Sequence, residues 1–375
     1  MNFGIKYSTS SSEIRSKKLK DKKVALIIGS TGQDGAYLTS HLLKLDYKVV
    51  ATRRRTSMLN TQRLDWILSD LKSEKEKNLS VEYADVTDTL SITKILDKFL
   101  PDEVYNLSAQ SHVAVSFEQP EYTANVNALG PLRILEAIRM LGLRKKIKFY
   151  QASTSELFGN VLSWPQSEET PFNVVSPYAA AKQFAHNLVK IYREAYDIFA
   201  CSGILFNHES PIRGSNFVTK KIVRGIFEFQ KSQTSVQLGN LDAIRDWGHA
   251  RDYVQMQHLM LQQKQPRDFV IGTGKETTVR EFVELVSHRM GLELEWQGRG
   301  VKEVGVCSKA DNKNLIGKIM VKVDQQYFRP LEVERLLADA SLARSKLNWM
   351  PETNITQIVD EMVRFEFKKP NFDVI

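Results

Sequence analysis

The sequence predicts an α/β protein: a doubly wound, Rossmann-type parallel sheet with a smaller C-terminal lobe. Three observations lead there. Apolar strand-like runs alternate with amphipathic stretches through the first 206 residues, which is the pattern of βαβ units. A glycine-rich turn, "IIGSTGQDG", falls between the first strand-like run and the first helical stretch, the place of a phosphate-binding turn in such a fold. Beyond Phe206 the alternation gives way to loops and scattered elements, as suits a lobe that closes over the C-terminal edge of the sheet, where ligands of such sheets bind.

Taken in order, "KVALII" is the first strand and a helix follows Gly35; "YKVVAT" and "LSVEYA" are the next two strands. A helix near Ser91 to Phe99, the strand "EVYNLS", a helix near Leu132 to Leu141 and the strand "KIKFYQA" complete the regular half. The second half reads as a helix around Val218 to Phe229, a strand "SVQLG", a helix "DYVQMQHLML", a strand "DFVIGTG" and further helices near Val279 and Glu332. The expected division is a basic tail at 1–22, a dinucleotide-binding unit at 23–206 and the smaller, substrate-binding lobe at 207–375, with chain exchange between the last two.

Composition narrows the class. A chain of 375 residues with 42% hydrophobic content can bury a sizeable core. Cys201 and Cys307 make neither a disulfide framework nor a metal-ligand spacing, which suits a reducing compartment and no metal. No apolar run reaches the length of a signal-peptide core or a membrane span, so the cytoplasm is the expected location. Residues 1–23 carry seven Lys or Arg against two acids. Most of the formal +8 charge therefore sits on a solvated tail, not on a face for nucleic acid or membrane.

Gly29, Gly32 and Gly35 have the spacing G-x-x-G-x-x-G, which permits a tight turn and a close approach of backbone to a dinucleotide pyrophosphate. Such a triplet is weak alone and gains weight from its place between a strand and a helix. About twenty residues on, an NAD site carries an acid for the ribose 2′-hydroxyl. Here stand Arg53, Arg54 and Arg55, which suit a 2′-phosphate and hence NADP; a solvated basic loop is the competing reading. Asp85, after the third strand, is placed to meet adenine, and Leu107, Ser108, Ala109, Gln110 and Ser111 in "NLSAQS" run along the cofactor's middle.

Tyr178 and Lys182 in "SPYAAAK" are four residues apart and share one helix face. A phenol with a pKa of about 10 is a poor base at neutral pH. An adjacent ammonium and the charge of an oxidised nicotinamide favour the phenolate. The same spacing arises by chance in surface pairs; here it follows "STSE" at the end of the fifth strand.

Together the glycine turn, "STSE" and "YAAAK" resemble the extended short-chain dehydrogenase/reductases. The strings "TGQDGAYL", "PDEVYNLSAQSHVAVSF", "FYQASTSELFG", "GILFNHESP", "RDWGHARDYV" and "YFRPLEVE" resemble the GDP-mannose 4,6-dehydratase family within them, from about residue 23 onward. That resemblance implies a hydro-lyase acting on GDP-mannose with NADP, by hydride transfer from C4 to C6 of the hexose. It implies Tyr178 as base for the O4 proton, Thr154 as its hydrogen-bonding neighbour, Glu156 as base for the C5 proton and Lys182 as partner of the nicotinamide ribose. For the cofactor it further implies Thr31, Gln33, Asp34, Thr56, Ser57, Val86, Tyr122, His208 and Arg213. For the substrate it implies Ser111, Asn207, Arg245, Arg329 and Lys221, or its neighbour Lys220. Glu332 is placed to accept from guanine N1–H and N2, which uracil and thymine do not offer. A macrodipole-favoured carboxylate at a helix start is the competing reading of Glu332.

Three positions depart from the family pattern: Ile28 for threonine, Ser108 for glycine and Ile212 for arginine. The arginine-rich loop "RRRTSMLNTQRLDW" implies, by the same resemblance, a tetramer in which it reaches a neighbouring subunit. Three alternatives stand beside this reading. One is a dehydratase for another nucleotide-sugar. Another is an epimerase, which has no use for Glu156. The last is an NADP-sensing or scaffold protein, which has no use for Glu156, Tyr178 and Lys182 as a set.

Overall fold

The computed structural model describes residues 22–57, 60–69, 77–160, 163–328 and 331–368. The tail expected at 1–22 therefore lies almost wholly outside the described residues, and so does Arg329.

Seven parallel strands form the central sheet: β1 (Val24–Ile28), β2 (Lys48–Arg53), β3 (Leu79–Tyr83), β4 (Glu103–Asn106), β5 (Lys148–Ala152), β6 (Phe199–Leu205) and, from the second half, a strand at Phe269–Ile271. In space the order runs from Phe269–Ile271 through β6, β5, β4, β1 and β2 to β3. The direction of winding reverses between β1 and β4, which opens a crevice at their C-terminal ends.

Alternation along β1 sorts its side chains by face. Ala25 and Ile27 join Leu38, Leu42 and Leu43 of helix α1 (Gln33–Lys44) in one core, together with Met256, Met260 and Leu261. Leu26 and Ile28 join Ile92, Ile95 and Leu96 of the helix Thr89–Phe99 in the other. That helix is capped by the Asp88 side chain, which accepts from the Leu90 amide at 2.9 Å. Gly35 stands inside the first turn of α1, not ahead of it, so the first helix starts three residues earlier than the sequence suggested.

The smaller lobe has its own core, in which Ile222, Val223 and Ile226 meet Phe282, Val286, Ile358 and Met362. A four-stranded sheet (Leu292–Gln297, Val304–Ala310, Ile319–Val323, Val236–Leu238) flanks it. The chain leaves and re-enters this lobe repeatedly. The helix Ala250–Leu261 and the strand Phe269–Ile271 belong to the main sheet unit, whereas Thr277–Thr278 pairs with Ile244–Arg245 back in the lobe.

One expected helix is absent. The segment around Glu332 is extended, bridging Ile244 through Arg335 and Gln166 through Ala338. Its backbone bonds go sideways to these neighbours: Ile244 N donates to Glu334 O at 2.9 Å and Asn160 Nδ2 to Glu332 O at 2.8 Å. A segment so occupied has no i to i−4 ladder to close.

Candidate active site

A cavity of about 1040 Å³ opens at the crevice above β1 and β4 and extends into the lobe. It is lined by the glycine turn, the "STSE" strand end, Tyr178, Lys182 and residues of the lobe as far as Tyr327 and Glu332.

The glycine turn is tight because its neighbours leave no room. A Cβ on Gly35 would stand 2.3 Å from Gly29 O and 2.5 Å from Ser30 Cα. Gly29 has φ +92°, and a Cβ there would stand 2.8 Å from Ser108 N. Both positions demand glycine. The resulting cradle at the start of α1 fits a dinucleotide diphosphate. Ser108, where glycine is usual, keeps its hydroxyl off the cavity floor by donating to Asn106 Oδ1 at 2.6 Å.

The helix that carries Tyr178 and Lys182 spans Pro177–Tyr196. Ser176 caps it by accepting from Ala179 N at 3.1 Å, and Pro177 opens its first turn. Tyr178 N donates to Ser116 Oγ at 3.1 Å, which ties the helix start to the segment after β4. Thr154, Glu156, Tyr178 and Lys182 are all buried and line one cavity. Thr154 Oγ1 accepts from Glu156 N at 3.2 Å and hydrogen-bonds the Tyr178 hydroxyl.

Electrostatics here add the effect of burial to the charges that the sequence expectation considered. Burial pushes Tyr178 up to about 12, against the pull of the Thr154 hydrogen bond and with a further push from Glu156. Lys182 is held down to about 8 by burial, partly offset by Asp34. Its Nζ donates to Ala152 O at 3.0 Å and lies 5.9 Å from the centre of the Tyr178 ring. The ammonium is thus tied to the strand end while it stays over the phenol ring. His208 Nε2 lies 2.8 Å from Asp34 Oδ2. Burial disfavours the imidazolium, but the carboxylate outweighs it and raises the histidine's pKa. Asp34 is lowered in turn: burial opposes its charge, and His208 overcomes that.

Of the cofactor candidates, Gly29, Thr31, Gly32, Gln33, Asp34, Gly35, Arg54, Asp85, Val86, Leu107, Ser108, Ala109, Ser111, Tyr122, His208 and Arg213 line this cavity. Arg54 Nη1 donates to Tyr122 Oη at 2.7 Å. Arg55, Thr56, Ser57 and Gln110 do not line it. Arg55 instead stacks on the Tyr83 ring at 4.3 Å, opposite a 2.7 Å bond from Arg53 to the Tyr83 hydroxyl. Gln110 braces the loop after β4 through a mutual pair of bonds with Asn127.

The substrate candidates Ser111, Asn207, Lys221, Arg245 and Glu332 line the same cavity. Arg245 Nη2 donates to Glu332 Oε1 at 3.3 Å. Lys221 Nζ sits 3.2 Å above the Tyr327 ring. Asn207 Oδ1 is buried with no hydrogen-bond partner among the described residues, a vacant acceptor aimed at no protein group. Lys220 is turned away from the cavity, toward Glu366 at 2.8 Å. Ile212 is buried against Leu64, Ala36 and Ala51, so the change from arginine there is absorbed by apolar packing. Asn60, Arg63 and Tyr327 also line the cavity although the sequence did not single them out. Among the described residues no group of three or more His, Cys, Asp or Glu could hold a metal ion, and no helix is long and apolar enough to cross a membrane.

Known proteins resemble this chain over most of its length. The profile of the family described as GDP-mannose 4,6 dehydratase matches residues 26–362. The GDP-mannose 4,6-dehydratase of Vibrio cholerae serotype O1 is 54% identical over 354 residues, spanning 93% of this chain and 95% of the relative. That of Homo sapiens is 48% identical, spanning 92% and 91%. Among solved structures, the dTDP-glucose 4,6-dehydratase DesIV of Streptomyces venezuelae with NAD and TYD bound has a TM-score of 0.74 at 20% identity, covering 92% of this chain and 97% of that one. RMD of Pseudomonas aeruginosa complexed with NADPH has a TM-score of 0.69 at 19% identity, covering 93% and 100%. At such identities the two structures speak for the fold.

Proposed function

The chain belongs to the GDP-mannose 4,6-dehydratase family, and from that premise we propose that it dehydrates GDP-mannose to the 4-keto-6-deoxy sugar nucleotide, with NADP and the residues assigned below. The observation that carries the assignment is one cavity holding Thr154, Glu156, Tyr178 and Lys182 beside a glycine cradle.

When bound, the oxidised nicotinamide supplies a hydride acceptor, later a donor, and a positive charge that favours the Tyr178 phenolate. Tyr178 takes the O4 proton, and Thr154 orients both the phenol and O4. Lys182, whose Nζ donates to Ala152 O at the strand end, serves the ribose hydroxyls of the cofactor in this reading. Once C4 is a ketone, the C5 hydrogen is acidic because its carbanion delocalises as an enolate. Glu156, on the other arm of the strand end, is the base for that proton, and the hydroxyl at C6 leaves as water. Arg245 and Lys221 suit the diphosphate, and Glu332, held at Arg245, suits guanine. Arg54 beside Tyr122 suits the 2′-phosphate that distinguishes NADP. The arginine-rich loop supports assembly into a tetramer, by resemblance alone.

The test uses GDP-mannose deuterated at C4 with a catalytic quantity of NADP. Mass loss of one water with deuterium at C6 of the product is the expected result. Deuterium lost to solvent, or turnover of another nucleotide-sugar in place of GDP-mannose, would refute the internal relay or the substrate respectively.

A further inference from the structure

Arg63 and Arg213 both line the cavity and act on each other through their like charge, and they are not balanced alike. Arg213 has a carboxylate: its Nε lies 3.1 Å from Glu209 Oε2, and its plane rests on the Phe217 ring at 3.6 Å. Arg63 has none. Its Nε donates to Ile212 O at 2.9 Å and its Nη1 to Thr31 O at 3.5 Å, both neutral carbonyls. Burial disfavours its charged form, and the one charge that acts on it is the like charge of Arg213. The nearby His208 and Asp34 neutralise each other. The pair therefore carries one positive charge more than it has carboxylates to match. A half-buried cation without a counterion is costly to the protein alone and becomes favourable when a ligand brings the anion.

We infer that Arg63 and Arg213 form a two-arginine clamp for the diphosphate bridge of the dinucleotide, an inference that rests on the cofactor reading above. The Thr31 carbonyl that Arg63 touches belongs to the glycine turn, whose missing Cβ atoms let backbone approach a diphosphate. Arg54, the candidate for the 2′-phosphate, is engaged elsewhere with Tyr122. Planar guanidinium donors suit paired phosphate oxygens, so two of them can share a diphosphate.

Arg63→Gln keeps an N–H for the Ile212 carbonyl and removes the charge; Arg63→Lys keeps the charge. Titrating NADPH and NADH into the whole protein, followed by ligand fluorescence, measures both dissociation constants without turnover, and thermal melting checks the fold. In Arg63→Gln we expect both cofactors to bind roughly ten- to a hundredfold more weakly, by the same factor, with Arg63→Lys regaining most of the loss. Unchanged binding with a lowered melting temperature would overturn the clamp and leave Arg63 as a tether of the Ile212 segment. Weakening of NADPH alone would also overturn it, since Arg63 would then read the 2′-phosphate. Failure of the wild-type protein to bind either cofactor would instead refute the cofactor reading, and the clamp with it.

Discussion

Glu156 is the residue whose presence asks for more than oxidation and reduction at one carbon. Its carboxylate is buried at a strand end beside Thr154, in the same cavity as Tyr178. Glu156→Gln is nearly isosteric, so it should keep sugar oxidation and lose elimination. In a single turnover with GDP-mannose, reduced-nicotinamide absorbance should appear while water loss falls by about 10²–10⁴. Equal loss of both steps would make Glu156 a structural residue. At this scale the sequence was informative where local geometry decides: four residues along a helix put Tyr178 and Lys182 on one face whatever surrounds them. It was silent about the burial that raises the phenol's proton affinity, because the rest of the chain supplies that burial and no local spacing reports it. Arg63 was illegible for a related reason. The carbonyl that fixes it belongs to Ile212, 149 residues away.

Between elements, the packing of α1 on the helix Ala250–Leu261 brings His41 and His258 to 5.4 Å between ring centres. Burial, then the like charges of His258 and Lys44, hold His41 down to about 4. Across pH 4 to 6.5 the unfolded chain takes up a proton that the native state refuses, so stability rises with pH in that window and falls on acidification. His41→Gln should flatten this slope, recovering on the order of 2 kcal/mol of the stability lost near pH 4.5. Urea unfolding of both proteins at pH 7 and pH 4.5 measures it; identical pH slopes would exclude His41 as the cause. The elements themselves were legible where periodicity is strong, as in β1 to β5 and Val218–Ser232. The segment at Glu332 was not, since its carboxylates and leucines satisfy a helical pattern while its backbone is claimed by Ile244 and Asn160.

At the scale of the whole molecule, the strand Phe269–Ile271 comes from the second half of the chain and edges the sheet of the first. Asp268 secures that junction. It takes both Arg193 nitrogens at 3.0 and 2.8 Å, and Ser202 N at 2.6 Å. Asp268→Ala would leave a largely buried guanidinium and a backbone N–H without this acceptor, at a cost of about 2–4 kcal/mol. Urea unfolding should show that loss while activity per folded molecule stays near wild type, because Asp268 does not line the cavity. A loss under 0.5 kcal/mol on the same urea curve would mean that the junction does not depend on this carboxylate.

The chain then returns to the lobe at Thr277, visits the main unit again through Ala340 and Ala343, and re-enters the lobe core with Ile358 and Met362 of the last described helix. Such repeated passage means that the lobe is no cassette. It cannot be cut out and replaced as one continuous stretch, so a change of nucleotide or sugar in this architecture proceeds by replacing side chains along the rim of an inherited cleft. Recombination that shuffles whole domains has no single joint here at which to act.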